Sequence, residues 1–136
     1  MPPKAKNKNE ASALSGFQDV FFRHESQEDL AGWKPADLAV VAASVGDWAR
    51  VRAQSETKIR VFNPEQKKHG WHIPHTVIQI VGDDMPFIVD SVSAALIYQG
   101  LTIDVMFHPV LHVMRDGAGQ MLKVTEGEKA EGLAES

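Results

Sequence analysis

Cysteine is absent from all 136 residues. That excludes disulfides, thiolate metal sites and a cysteine nucleophile, and it suits a reducing, cytoplasmic setting. No apolar run approaches the roughly 20 residues needed to cross a bilayer, and the polar start with Lys4, Lys6 and Lys8 lacks the apolar centre of a signal peptide. Positive charge is in short supply too: 14 Lys and Arg against 18 Asp and Glu give a net charge of -4. Neither nucleic acid nor an anionic membrane is an expected partner on electrostatic grounds. No internal repeat is visible. What is present is ordinary globular composition, 43% hydrophobic and 24% charged, and one domain's worth of chain.

The organising stretch is His75 to Asp116. Thr76 to Val81 is short, apolar and β-branched, and turn formers follow at once, so a buried strand is expected. Gly82-Asp83-Asp84 supplies the turn. Asp84 is placed to cap the free N–H groups of a following helix, with Pro86 in the first turn, where its missing donor costs nothing. That helix is expected to reach about Gln99 and stop at Gly100, the residue that most easily turns left-handed. Leu101 to Phe107 reads as a second strand. His108-Pro109 interrupts it, Val110 to Arg115 resumes it, Asp116 to Gly119 forms a hairpin turn, and Gln120 to Val124 returns.

This helix carries apolar residues on two sides. Ile88, Val89, Val92, Ala95 and Leu96 make the face that a helix turns to a sheet. Phe87, Ala94 and Tyr98 gather on the opposite side, where polar residues are the norm, and predict a covering surface.

Around this stretch, residues 1–11 are expected to be a disordered arm and 12–57 a helical segment. Leu14, Phe17, Val20 and Phe21 form one stripe of a helix over Ser12 to His24, Ser26 and Asp29 offer a local cap, and Pro35 to about Ala53 places Leu38, Val41, Ala42, Val45, Trp48 and Ala49 on one face. Residues 58–124 then form the sheet-bearing unit. Lys58 to Phe62 alternates as a strand that Asn63-Pro64 stops, and Glu65 to Ile73 is a polar loop long enough to let it turn back onto the edge of Thr76 to Val81. Residues 125–136, glutamate-rich and poor in apolar side chains, are expected to be a disordered acidic tail.

Three groups are candidates for chemistry. His69, His72 and His75, with His108 and His112 downstream, have the side chain of a common metal ligand, but Gly70 and Pro74 rule out the helix that would align them, so loop or structural histidines and no metal site are expected. Asp83 and Asp84 are either an acid/base pair or a helix cap beside a solvated turn residue. The turn also has a reason to bind a zwitterion: the helix start attracts a carboxylate and the aspartates attract an ammonium. Asp83, Asp84, Met85, Pro86 and Phe87 are therefore the candidate ligand residues, with Phe87, Ala94 and Tyr98 the candidate interface.

The strand, the acidic turn, Asp84-x-Pro86, then Val89, Val92, Leu96 and Gly100-Leu101-x-Ile103 resemble the first half of an ACT domain, a βαββαβ module that binds amino acids and regulates metabolic enzymes. Arg60 to Pro64, His69-Gly70-Trp71, Pro74-His75-Thr76, Asp83 to Phe87, Asp90-Ser91-Val92 and His108-Pro109-Val110 narrow the likeness. They resemble the N-terminal regulatory region of the large-subunit, NAD-specific bacterial glutamate dehydrogenases. The resemblance implies an α+β fold with N-terminal helices packed on an incomplete, ferredoxin-like βαββ unit, whose fourth strand and second helix are missing.

It also implies a regulatory fragment of a much longer polypeptide. Oxidative deamination of L-glutamate to 2-oxoglutarate and ammonia with NAD would belong to the rest of that polypeptide, since the dinucleotide glycine fingerprint and the catalytic lysine have no counterpart here. This chain is accordingly expected to need no cofactor and to have the rest of the parent polypeptide, an amino-acid effector and a second copy of itself as partners. Amino-acid-binding ACT domains usually carry glycine after the proline, where Phe87 stands. A free-standing amino-acid-sensing or protein-interaction module is the other reading.

Overall fold

The computed structural model describes residues 8–125 and 132–136. Its first helix, α1 (Lys8–Phe21), buries Leu14, Phe17, Val20 and Phe21, the stripe that the sequence spacing marks. It begins inside the stretch expected as a disordered arm, whose residues 1–7 lie outside the described residues. A single turn, α2 (Gln27–Leu30), is capped by Ser26, whose Oγ accepts from the Asp29 N–H at 3.1 Å. The next helix, α3 (Pro35–Ala49), opens on proline with Asp37 in its first turn. It stops short of the expected Ala53 because the backbone there is claimed by the distant hairpin. Met121 donates to the Arg50 carbonyl at 2.8 Å, and Arg52 donates to the Gly119 carbonyl at 3.0 Å. Helices α1 and α3 pack together closely at Gly46, where a Cβ would stand 3.1 Å from Phe17 Cδ1 and 3.4 Å from Leu14 Cδ2. Glycine's cost in helix propensity at Gly46 is what lets the two helices approach.

Strand β1 (Lys58–Phe62) pairs antiparallel with β2 (Val77–Val81), from Lys58 opposite Val81 to Phe62 opposite Val77. The upstream strand does turn back onto the edge of the organising strand. The connection contains one helical turn, α4 (Gln66–His69), where only a loop is expected, and Gly70 closes it at φ +77°. Trp71 beyond it is buried, with its ring 6.1 Å from Phe62.

Helix α5 (Ile88–Tyr98) follows β2. Its end is as the glycine predicts: Gly100 sits at φ +78°, and Leu101 donates back to the Leu96 carbonyl at 3.1 Å. Strands β3 (Leu111–Arg115) and β4 (Met121–Thr125) form a hairpin across Asp116 to Gly119. The Asp116 Oδ1 accepts from the N–H groups of Ala118 and Gln120, each at 2.9 Å. β2, α5, β3 and β4 follow one another in βαββ order, β2 pairing with β1 and β3 with β4, and α1 packs on β4.

Two expectations are corrected. Leu101 to Phe107 forms no strand, although its pattern alternates. Both edges of β3 are already taken, by β4 and by β5 (Leu133–Glu135), and the connector packs instead against the turns that follow α1 and precede α3. Phe107 meets Phe22 at 5.0 Å and Trp33 at 6.0 Å, and the His108 N–H donates to Glu25 Oε1 at 3.1 Å. The second correction is β5 itself, which lies in the stretch 125–136 expected to be disordered; residues 126–131 of that stretch lie outside the described residues. β5 pairs with β3 through Leu111 opposite Glu135 and Val113 opposite Leu133. Its other side meets the end of β2: Gly82 and Ser136 exchange two backbone hydrogen bonds of 3.0 Å, and Asp84 donates to the Ala134 carbonyl at 3.0 Å. The last strand thereby ties the two sheets together.

The core gathers Ala13, Phe17, Val20 and Phe21 of α1, Ala42 and Ala49 of α3, and Val81, Leu111, Val113 and Met121 of the strands. Among the described residues, no helix is long and apolar enough to cross a membrane.

Candidate functional site

The turn between β2 and α5 is built differently from the expected cap. Helix α5 starts at Ile88, its N-cap is Phe87, and no side chain caps it. Asp84 is therefore not the cap; its N–H is spent on the Ala134 carbonyl, which fixes it as part of the sheet. Pro86 precedes the cap instead of opening the helix. Phe87 takes φ +66°, ψ +18°, the left-handed region that a residue with a Cβ adopts at a cost. The backbone here has the conformation natural to glycine while the side chain is phenylalanine. Met85 and Phe87 are 56% and 75% exposed.

Asp83 faces inward to a charge cluster that sequence reasoning missed. Its Oδ1 accepts from Arg52 Nη2 at 2.8 Å. Arg52, 3% exposed, also donates through Nε to Glu135 Oε1 at 3.1 Å and through Nη1 to the Glu56 carbonyl at 2.6 Å. Arg115 grips the same carboxylate from β3, with Nε on Oε2 and Nη2 on Oε1, both at 2.9 Å. Main-chain carbonyls of Ala49 (2.7 Å), Arg50 (3.3 Å) and Gly119 (2.8 Å) take its remaining donors. Burial opposes the Arg52 charge, but hydrogen bonds and Coulomb attraction from Glu135 and Asp83 outweigh it and hold its pKa above the usual arginine value. An arginine in a linker and a glutamate near the chain's end carry no local signal that they meet. The one available hint is Leu133-Ala134, a short apolar interruption in a polar stretch.

A second polar group joins the strands to α3. Arg60 Nε donates to Gln79 Oε1 at 2.7 Å, and Arg60 Nη2 and Gln79 Nε2 reach Ser44 Oγ at 3.2 and 3.3 Å. The histidines scatter. His69 Nδ1 accepts from the Glu65 N–H at 2.8 Å, and His75 pairs with Asp104 at 3.1 Å on the surface. No cluster of three or more potential ligands suited to a metal ion forms among the described residues. The covering surface predicted for Phe87, Ala94 and Tyr98 is not supplied within the described residues: Tyr98 is 89% exposed. Val45 and Trp48, on the apolar face of α3, pack on the core and not on this side of α5.

Helices packed against strands in βαββ order, with an acidic turn before α5, define a small α+β domain of the ACT-like kind. The family described as "Glutamate dehydrogenase, ACT1 domain" matches residues 17–136, and the chain belongs to that family. It is 33% identical over 125 residues to an NAD-specific glutamate dehydrogenase of Halomonas elongata, covering 92% of this chain and 8% of that protein. It is 31% identical over 110 residues to an NAD-specific glutamate dehydrogenase of Pseudomonas aeruginosa, covering 79% of this chain and 7% of that protein. The chain thus spans less than a tenth of the length of these relatives. No solved structure gives a significant match.

Proposed function

We propose that this chain is the regulatory N-terminal segment of an NAD-dependent glutamate dehydrogenase and is itself non-catalytic. The observation that carries this is the family match over residues 17–136, in a chain that corresponds to only 8% of a relative named as that enzyme. Oxidative deamination of L-glutamate to 2-oxoglutarate and ammonia, and the NAD it uses, belong to the remainder of such a polypeptide, in the cytoplasm.

The regulatory input is an amino acid at the turn Asp83 to Phe87. The uncapped start of α5 attracts a carboxylate, and the half-exposed Asp83 attracts an ammonium. A contact role is the second reading, favoured by the exposure of Phe87 and Tyr98 at 75% and 89%. Calorimetric titration of the chain with a panel of amino acids decides between them. Heat from one of them, lost in Asp83→Ala, supports sensing; no heat with any, at protein concentrations that detect millimolar affinity, leaves the contact role. Glutamate-dependent NADH formation by the purified chain would overturn the non-catalytic assignment.

A further inference from the structure

Strand β5 lies between β3 and the end of β2, and its side chains contribute little apolar packing. It is three residues long; Leu133 is 68% exposed and Ala134 half-buried, so its one buried side chain is Glu135, 5% exposed. What Glu135 occupies is ready-made without it. Arg52 is anchored by the Glu56 carbonyl and Asp83, and Arg115 by the carbonyls of Ala49, Arg50 and Gly119. Two nearly buried guanidiniums, their side chains 3% and 11% exposed, are thereby fixed with Nε and Nη donors converging on one point. The planar fork of arginine matches a carboxylate in this way, with two parallel bonds from Arg115 and a third from Arg52. Asp83 adds a negative charge beside it, where an ammonium would sit.

We propose that Arg52 and Arg115 form a carboxylate-binding cradle in which Glu135 is an internal, displaceable ligand, so that a small free carboxylate competes with Glu135 and releases β5. The exchange replaces like with like: the guanidiniums keep their charged partner, and what is given up is the set of backbone bonds that β5 makes to β3 and to the end of β2. It rests on the amino-acid reading only for its choice of natural ligand, an α-amino acid with its ammonium on Asp83. Because Gly82 and Asp84 bond directly to Ser136 and Ala134, release of β5 also frees the turn that leads into α5. Ligand occupancy becomes a movement of β5.

The test removes the internal ligand. In Glu135→Ala, sodium acetate raises the thermal midpoint relative to sodium chloride at equal ionic strength, and far more than in the wild type; the added substitution Arg115→Met abolishes the rise. If Glu135→Ala fails to fold, Glu135→Ser takes its place, since its short side chain also leaves the cradle empty. In the wild-type chain, acetate speeds hydrogen exchange at the Gly82 and Ser136 amides. The absence of any acetate-specific rise in both variants, or wild-type exchange that acetate leaves unchanged, overturns the cradle. Glycine in place of acetate separates the two claims: a stronger effect than acetate supports the amino acid as ligand, whereas an equal effect supports the cradle and counts against the amino-acid reading.

Discussion

Arg52 and Glu135, 83 positions apart, meet at 3.1 Å with side chains 3% and 6% exposed. One residue follows α3 and the other lies in β5, so the pair ties the segment after the helices to the far side of the sheet. Neither charge is tolerable alone. Taking an ion out of water costs several kcal/mol, and here each ion is repaid by multiple charge-assisted bonds.

Removing one partner should therefore be costly. Glu135→Ala is expected to lower stability by about 3 kcal/mol, because it leaves two buried guanidiniums facing each other. Glu135→Gln should lose less, since its amide oxygen still accepts one bond. Urea unfolding in chloride measures both, and a loss under about 1 kcal/mol for the alanine variant would mean that the cluster contributes little.

Phe87→Gly should act in the other direction. At φ +66° phenylalanine pays about 1 kcal/mol that glycine does not, and glycine is also the better N-cap. Little packing is lost in exchange, because the ring is 75% exposed. A rise in the unfolding midpoint of the monomer is expected; a fall would show that the ring is covered in solution.

Much of this fold was legible locally. Lys58 to Phe62 alternates and ends at Asn63-Pro64, and the strand has those bounds. Gly100 and Asp116 to Gly119 carry turn chemistry that works over a few residues, and each turn falls where it should. The failures involve partners far away in the chain. Leu101 to Phe107 has the pattern of a strand, but pattern does not say whether a sheet edge is free. Leu133 to Glu135 has almost no pattern and is a strand because β3 and the end of β2 offer it two edges. Even the alternation of β1 misleads about sides: Arg60 turns to Ser44 of α3, while Ile59 and Val61 are each 61% exposed. Asp84 illustrates the same limit at the candidate site, where a residue suited to capping is held in the sheet by a bond to Ala134.

Gly119 combines both kinds of constraint. Its φ of +82° favours glycine, and a Cβ there would collide with the backbone carbonyl of Arg52. Gly119→Ala is expected to cost at least about 2 kcal/mol, as the hairpin turn must move away from the segment that Arg52 anchors. Gly117→Ala, in the same turn with open space around it, is the control and should change stability by less than about 1 kcal/mol. Equal effects from the two substitutions would count against the close approach.

Lys58 makes stability depend on alkaline pH. Burial first, and then the charges of Arg115 and Arg60, hold its pKa below the ordinary lysine value against the pull of Glu56. With the folded value below the unfolded one, protonation favours the unfolded chain. The penalty is present at neutral pH and disappears as pH rises through the folded pKa toward the unfolded value. The midpoint of the wild type should gain on that of Lys58→Met across this alkaline window, and a constant difference would contradict the shift.

The exposed side of α5 should bring two chains together. Phe87 and Tyr98, with Met85, Ile97 and Leu101 at 56%, 63% and 55% exposure, put five large apolar side chains on or beside one short helix. That density suits an interface better than a monomer's surface. α3 does not cover it, since Val45 and Trp48 face the core. Fully burying one such ring stabilises by roughly 1.5 to 3 kcal/mol, so a paired surface that buries several of them offsets the cost of association. Sedimentation of the wild type should show mass increasing with concentration. Phe87→Asp should abolish that increase and leave the monomer folded, because the residue contributes little to the core. A wild-type chain that stays monomeric at high concentration would refute self-association, and the apolar side of α5 would then have to be matched by a different surface.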